Sequence, residues 1–421
     1  MIISNIINIL KNFISFLLFF SLVSCTYYQK EEIIKDDIEI EKISSIELSN
    51  SYIFDLISNH WDNINFKNHN VNYNFDQLLS FDFGKGEKNI NYLISNPILT
   101  NNYLFLVDNE AILTKYDIPS NTLIWQKKVN ENIQKNVASP VSLLSTNDSI
   151  IITTGEGTVT SLDYDGNLNW TKNFDNTIKT ASYIINDTIF IATNDGQLNL
   201  LNSIDGSVKI NFNKEINKIP SYYGGKFLNY KNNLIFISPK QNIYFIDNFL
   251  FEYSELDSNF FRFFEPIDQY NFDYNIDIFT YSNYLIIIEN NEFYSLFNTI
   301  ENSLDINQYQ IPKSKYLKLI NNSIISLDKE NILRAINYQN TKMFWKNNIN
   351  KNLGNSDIVD TIIYNNNIFL FLDNGKILIL DKNNGEIIQE IKLKINNIKS
   401  LYFHKDYIVF INNKAKVYLY K

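Results

Sequence analysis

The chain has 421 residues, of which 45% are hydrophobic and 20% are charged. This apolar content is enough for a large core, so the composition excludes wholesale disorder and allows two or three domains or one large repeat architecture. The 46 acidic residues outnumber the 37 basic ones, and a net charge of −9 argues against bulk attraction to nucleic-acid phosphates. Cys25 is the only cysteine, which excludes an intramolecular disulfide and a cysteine-based metal cluster.

The first 24 residues have the pattern of a signal peptide. Lys11 precedes an apolar run of roughly 11 residues, too short for a bilayer span of about 20. Asn5, Asn8 and Lys11 argue against a longer membrane anchor. We therefore predict a cleaved export signal over residues 1–24.

The end of this run, Leu22-Val23-Ser24-Cys25, resembles the bacterial lipobox. That resemblance implies lipidation of the Cys25 thiol, with Cys25 as the mature N-terminus. The alternative is a chance cysteine after an ordinary signal peptide. Thr26 stands where an Asp would resemble an inner-membrane retention signal, so the lipobox rule implies the periplasmic face of the outer membrane. Residues 25–71 are predicted to be a tether and linker, charged at first and more apolar near the body.

From residue 72 to residue 421 the chain repeats one unit of short apolar strands separated by polar turns. The clearest copies cover 96–129, 139–174, 181–213, 323–349 and 366–393, and a final half-copy covers 400–420. Pairs such as Asp195-Gly196 and Asn374-Gly375 are typical of hairpin turns, because glycine adopts a positive φ without steric cost.

The repeat length indicates a β-propeller. Trp125 and Trp170 are 45 residues apart, and Trp345 is 44 residues from the equivalent Gln389. A period of 40–50 residues with several strands per unit is typical of propeller blades. Residues 75–86 look like an orphan outer strand that completes the final half-copy. We therefore predict an all-β chain with eight four-stranded antiparallel blades, closed by pairing of the N- and C-terminal strands, with seven blades as the alternative.

Two of the turns carry a family resemblance. Asp195-Gly196-Gln197-Leu198 and Asp165-Gly166-Asn167-Leu168-Asn169-Trp170 resemble the PQQ-like propeller repeat. With the lipobox, the tether, and Phe83-Gly84-Lys85-Gly86 followed by Asn96-Pro97, the chain is similar to the BamB family of outer-membrane assembly lipoproteins. The resemblance covers most of residues 75–421.

The resemblance implies a non-enzymatic scaffold of the outer-membrane β-barrel assembly machinery. The implied partners are the periplasmic domains of its main subunit and unfolded outer-membrane proteins, with no nucleic acid and no cofactor. Two alternatives stay open. One is an envelope propeller lipoprotein that binds another partner or a glycan, since one fold supports many functions. The other is a quinoprotein dehydrogenase, disfavoured because the chain lacks a cysteine pair and its carboxylates occupy turn positions.

The family's partner-binding loop corresponds to residues 216–229, INKIPSYYGGKFLN. The arginine usual in that loop has no counterpart here, so Tyr222, Tyr223 and Lys226 are the predicted contact residues, because aromatic side chains often dominate binding energy. The alternative is an ordinary turn between blades. Phe260-Phe261-Arg262-Phe263-Phe264 is a second candidate, as an exposed contact patch or a buried strand.

No catalytic or metal-binding residues are predicted. The chain has three histidines, His60, His69 and His404, which are too few and too dispersed for a metal site. No serine has a plausible His/Asp partner set.

Overall fold

The computed structural model describes the repeat region, and all described residues lie in one compact unit, Tyr52–Lys421. The described residues are 75–84, 96–100, 102–129, 140–185, 187–212, 225–230, 233–238, 243–247, 261–263, 276–281, 284–289, 291–298, 303–304, 309–320, 323–364, 367–404 and 407–421.

The described strands form eight antiparallel sheets, which we number as blades 1 to 8 from the N-terminus. Blade 1 contains β2 (Ile98–Leu99), β3 (Tyr103–Val107), β4 (Ile112–Asp117) and β5 (Thr122–Lys128). Blade 2 contains β6 (Pro140–Ser145), β7 (Ser149–Thr154), β8 (Thr158–Asp163) and β9 (Leu168–Asn173). Blade 3 contains β10 (Tyr183–Ile185), β11 (Thr188–Ala192), β12 (Leu198–Asn202) and β13 (Val208–Phe212). Blade 4 contains β14 (Lys226–Tyr230), β15 (Asn233–Ile237), β16 (Ile243–Asp247) and β17 (Phe261–Phe263).

The second half of the ring repeats this arrangement. Blade 5 contains β18 (Ile276–Tyr281), β19 (Tyr284–Glu289), β20 (Phe293–Asn298), β21 (Ser303–Leu304) and β22 (Tyr309–Gln310). Blade 6 contains β23 (Ser314–Ile320), β24 (Ser323–Asp328), β25 (Ile332–Asn337) and β26 (Met343–Asn348). Blade 7 contains β27 (Ile358–Tyr364), β28 (Asn367–Leu372), β29 (Lys376–Asp381) and β30 (Ile387–Lys392). Blade 8 contains β31 (Ile398–His404), β32 (Tyr407–Asn412), β33 (Lys416–Tyr420) and β1 (Gln77–Asp82).

The prediction of eight antiparallel blades is confirmed. Seven blades have four strands each, and in blade 5 the fourth position is divided between two short strands, β21 and β22, that both pair with β20. A short helix, α1 (Asn350–Leu353), connects blade 6 to blade 7. Within blades 1 to 7 the strands follow one another in chain order, so the turns between strands lie alternately on two sides of the propeller.

Blade 8 takes its fourth strand from the beginning of the repeat region. The first strand, β1, pairs antiparallel with the last strand, β33, and Phe81 stands opposite Val417. Next to this ladder, the backbone N–H of Asp76 donates to Lys421 O at 3.2 Å, and the Lys421 N–H donates to Asp76 O at 3.1 Å. These are the two segments that the sequence analysis expects to pair.

The predicted turn glycines have the backbone conformation that the turns require. Gly166, Gly196, Gly206, Gly375 and Gly385 all have φ between 70° and 95°. An L-residue with a side chain rarely adopts this conformation, which explains why glycine follows Asp or Asn at each of these turns.

Each repeat tryptophan of the described outer strands contacts the turn of the following blade. The indole Nε1 of Trp125 donates to Tyr164 O at 3.3 Å, that of Trp170 to Ser203 O at 3.0 Å, and that of Trp345 to Lys382 O at 2.8 Å. These carbonyls lie two or three residues before Gly166, Gly206 and Gly385, whose missing side chains leave room for the indole rings.

The core lies between the blades. Seven clusters of buried side chains among the described residues each combine two consecutive blades, and one of them joins blade 8 to blade 1. In that cluster Phe83, which is 1% exposed, packs with side chains of both blades, and its carbonyl accepts hydrogen bonds from Thr114 and Gln126 of blade 1. Because consecutive sheets cover each other, their strands are apolar on both faces, as the sequence indicates.

Candidate partner-binding surface

Of the residues predicted to bind a partner, only Lys226 lies among the described residues. Cys25, Tyr222, Tyr223 and residues 1–71 lie outside them. Lys226 begins β14, and its Nζ lies 5.9 Å from the centroid of the Phe279 ring in β18. This is a cation–π contact between blades 4 and 5, so Lys226 stabilises the packing of these blades.

Gly225, which follows the predicted tyrosines, is closely surrounded by other parts of the protein. The Gly225 N–H donates to Thr180 Oγ1 at 2.6 Å. A Cβ at position 225 would lie only 2.4 Å from the backbone oxygen of Ile237, so a side chain there would force the backbone to move. Gly225 therefore fixes the position at which the loop after blade 3 enters β14.

The Phe-rich segment contributes a strand to blade 4. Phe261, Arg262 and Phe263 form β17 and pair with Ile246, Phe245 and Tyr244 of β16. The backbone thus agrees with the strand alternative of the sequence analysis, while Phe260 and Phe264 lie outside the described residues.

Polar side chains join the innermost strands of blades 6 and 7. The Lys318 ammonium forms an ion pair with the Asp360 carboxylate, which also accepts the Thr361 N–H at 2.7 Å. The Tyr316 hydroxyl donates to Thr361 Oγ1 at 2.8 Å. Burial, and then the nearby Asp360 charge, raise the pKa of Tyr316 well above its ordinary value, so its hydroxyl keeps its proton. This cluster pairs its own charges and connects two blades.

A second buried ion pair stabilises the turn between β24 and β25. Arg334 Nη1 lies 2.7 Å from Asp328 Oδ2, and Asp328 Oδ1 accepts the backbone N–H groups of Glu330 and Ile332, both at 2.9 Å. Burial alone would raise the pKa of Asp328, but the hydrogen bond from Ile332 and the Arg334 guanidinium hold it below its ordinary value.

Among the residues that the structure describes, no group of three or more His, Cys, Asp or Glu side chains is placed to hold a metal ion. Within the same residues, no helix is long and apolar enough to cross a membrane.

The exposed apolar side chains of the described residues share one location. Every large one lies within the first three residues of an outer strand or in the turn just before it. These residues are Leu78, Leu123, Ile124, Leu168, Ile204, Val208, Met343, Phe344 and Ile388, with exposed fractions from 41% to 73%. This surface was not predicted from the sequence, although an apolar residue two positions after the turn glycine, as in Gly166-Asn167-Leu168, is a signal for it.

A β-bulge accounts for part of this exposure. In β5, Trp125 pairs with Lys115 and Leu123 pairs with Tyr116, so Ile124 between them is left without a partner residue. The ladders of β1, β9, β13, β26 and β30 have the same irregularity one residue before the tryptophan position. Bulges redirect side chains, and here they help to turn apolar residues towards solvent.

A groove of about 600 Å³ lies next to the exposed side chain of Ile388, where β26 and α1 meet β30. Its lining consists of Asn347, Asn348, Asn352, Glu386, Ile387, Ile388, Gln389 and Glu390. The Asn352 amide donates to Glu390 Oε1 at 2.5 Å, and Lys376 Nζ lies 3.3 Å from Glu390 Oε2. The hydrogen bond from the Asn352 amide, and to a smaller extent the Lys376 ammonium, lower the pKa of Glu390. The groove therefore retains a negative charge.

Comparison with known proteins agrees with the geometry. Residues 77–219, which span β1 and blades 1 to 3, match the family model described as outer membrane protein assembly factor BamB. No curated protein sequence matches the chain.

Solved structures share the fold at low sequence identity. The structure of BamB from Moraxella catarrhalis is 14% identical with a TM-score of 0.58, and the match covers 82% of this chain and 97% of that one. Sqt1 from Saccharomyces cerevisiae is 11% identical with a TM-score of 0.56, covering 82% and 98%.

Quinohemoprotein alcohol dehydrogenase from Comamonas testosteroni is 9% identical with a TM-score of 0.55, covering 82% of this chain and 76% of that one. At these identities the likenesses establish the fold alone. The chain is an eight-bladed β-propeller whose residues 77–219 carry a BamB-type PQQ-like repeat, as the sequence predicted.

Proposed function

We propose that this chain is a non-enzymatic scaffold lipoprotein of the outer-membrane β-barrel assembly machinery. In this role it binds the periplasmic domains of the main assembly subunit and aids the insertion of outer-membrane proteins. The observation that carries the proposal is the BamB family match over residues 77–219, on a propeller with the same fold as a BamB structure.

The rest of the chain is consistent with this role. Residues 1–24 act as the export signal, Cys25 carries the lipid, and residues 25–71 connect the lipid to the propeller body from residue 72 to 421. Lipidation at Cys25 holds the protein at the periplasmic face of the outer membrane, and more than one acyl chain is needed for stable anchoring.

Tyr222, Tyr223 and Lys226 are the proposed contacts for the assembly subunit. Tyrosine combines a large contact area with little conformational entropy, which makes two adjacent tyrosines suitable anchors. Lys226 is the third proposed contact, and its Nζ also lies 5.9 Å from the centroid of the Phe279 ring of blade 5.

The proposed partner is tested by affinity purification of the full chain from solubilised envelopes, followed by mass spectrometry. The barrel-assembly subunit should be recovered in stoichiometric amount. The Tyr222→Ala/Tyr223→Ala variant should reduce this recovery at least tenfold, about the effect of losing one interface hot spot. The matched control, Leu168→Ser/Ile204→Ser, removes two exposed apolar side chains from another surface and should retain the subunit.

A different stoichiometric partner would overturn the scaffold proposal in favour of another envelope function. The dehydrogenase alternative is tested separately, because a bound quinone in the purified protein would be visible by absorbance. Anchoring is tested with Cys25→Ser, which should release the protein from membranes. If this variant stays membrane-bound and the native N-terminus has no acyl mass, the lipid anchor is refuted.

A further inference from the structure

The nine exposed apolar side chains of the described residues lie on one side of the propeller. In each four-stranded antiparallel blade, the turns between strands one and two and between strands three and four lie on the same side. We call this side the turn face, and the opposite side, where one blade leads into the next, the connection face. All nine exposed apolar side chains lie at the start of a fourth strand or in the turn before it, and therefore at the turn face.

The described turns of this face are also acidic. The exposed acidic residues there are Asp76, Asp148, Asp165, Asp187, Asp205 and Glu386. Four exposed lysines oppose them. Lys342 and Lys421 lie in turns, Lys209 lies in the β13 bulge and its Nζ donates to Thr188 Oγ1 at 2.9 Å, and the Lys127 ammonium donates to Gly166 O.

One of these acidic groups, Asp205, is held in its charged form by its own turn. The Ser207 hydroxyl and backbone N–H both donate to Asp205 Oδ1, at 2.7 and 2.9 Å, and they lower the pKa of Asp205. The face therefore combines solvent-exposed apolar side chains with fixed negative charge.

Exposed apolar side chains together with acidic groups indicate what kind of partner can bind to the turn face. An exposed apolar surface of this kind indicates an interaction site, and an acidic background repels the anionic headgroups of a lipid surface. We propose that the turn face is a second protein-binding surface, and that its occupant is a protein that presents lysine or arginine side chains together with apolar ones. A surplus of acidic groups would attract such a partner and favour it over acidic competitors.

The proposal goes beyond the function proposed above, because it concerns the other side of the molecule. Lys226, the described member of the first proposed contact, begins β14 at the connection face and therefore lies on the side opposite the turn face. A scaffold that uses both faces can hold two proteins at once.

The experiment is site-specific photo-crosslinking in cells that express the full chain. A photoreactive p-benzoylphenylalanine replaces Leu168, Ile204 or Ile388 on the turn face. It replaces Lys179, Lys351 or Lys394, which are exposed on the connection face, in the matched controls. We expect protein adducts from the turn-face positions, and the crosslinked peptide should contain lysine or arginine beside apolar residues.

Charge dependence is measured on the same adducts. The Asp187→Lys/Asp205→Lys variant of blade 3 should lower the adduct yield at Leu168 of the neighbouring blade 2 about fivefold or more, as expected when a complementary charge is reversed. Raising the salt concentration in isolated envelopes should lower the yield without any substitution, so a poorly folded variant leaves the test intact.

Absence of protein adducts from all three turn-face positions would overturn the proposal. So would adducts with lipid or with a second copy of the chain, and so would yields that resist both charge reversal and salt. The proposed scaffold function is judged by the identity of the subunit recovered by affinity purification, so either proposal can fail while the other holds.

Discussion

The contact between each repeat tryptophan and the next blade makes a quantitative prediction about the turn glycines. A Cβ built on Gly206 would lie 2.6 Å from Trp170 Cε3, whereas one built on Gly166 would lie 3.4 Å from Trp125. Both glycines have positive φ, 70° and 83°, so alanine is strained to a similar extent at each turn. The two substitutions therefore differ mainly in how closely the indole approaches.

The magnitude follows from these two contributions. The left-handed backbone costs an alanine about 1–2 kcal/mol at either position. At Gly206 the overlap with Trp170 forces the indole to shift, and such overpacking typically costs a further ~1–3 kcal/mol. We expect Gly206→Ala to lose about 1–3 kcal/mol more unfolding free energy than Gly166→Ala. For a body of this size that corresponds to a difference in Tm of about 1–4 °C.

The assay is urea denaturation and thermal melting of both variants, followed by a double-mutant cycle with Trp170→Leu. If the indole is the cause, Gly206→Ala should cost only the backbone contribution in the Trp170→Leu background. Equal losses for the two glycine variants would refute the reasoning. So would an unchanged cost of Gly206→Ala after the indole is removed.

Three further predictions concern the buried contacts. Phe83→Ala should cost about 3–5 kcal/mol of unfolding free energy in urea melts, because it leaves a cavity in the cluster between blades 8 and 1, whereas Leu78→Ala in the exposed part of β1 should cost little. Because the pKa of Asp328 is lowered in the folded protein, this carboxylate stabilises the fold above about pH 4, and the stabilisation is lost as the pH falls. Asp328→Asn should therefore make the unfolding free energy less dependent on pH in the acid range, and an unchanged pH profile would contradict this. Lys318→Met should cost about 3–5 kcal/mol of unfolding free energy in the same melts, because it leaves the Asp360 charge buried without its partner. Adding Asp360→Leu should recover much of this loss, and a double variant no more stable than Lys318→Met would contradict the prediction.

The fold could be predicted from the sequence because the repeat is local and periodic. The spacing of Trp125, Trp170 and Trp345, together with the Asp-Gly and Asn-Gly turns, gives the blade length, and the blade length gives the count. The pairing of β1 with β33 was predictable because residues 75–86 have the character of an outer strand without its own sheet. These signals depend on the order of residue types along the chain.

Contacts between blades could not be predicted in the same way. Lys318 and Asp360 are 42 residues apart, and nothing in the local pattern shows that their strands are neighbours facing the same way. The bulges before the tryptophan positions depend on pairing register, so the exposure of Ile124, Phe344 and Ile388 follows from the ladders and is not evident from residue type. The predicted partner residues Tyr222 and Tyr223 rest on the family resemblance and stay a prediction.

The predicted tether does not by itself decide which side of the propeller is available to partners. The chain enters β1 at the turn face, and about 50 residues separate Cys25 from Asp76. Fully extended, such a segment reaches about 170 Å, and as a flexible coil it spans about 40 Å. Because either length would allow the propeller to reorient beneath the membrane, the proposed anchor would set the compartment and leave the choice of face to the side chains. Anchoring therefore gives no reason for the concentration of apolar and acidic side chains at the turn face, whereas binding of a partner does.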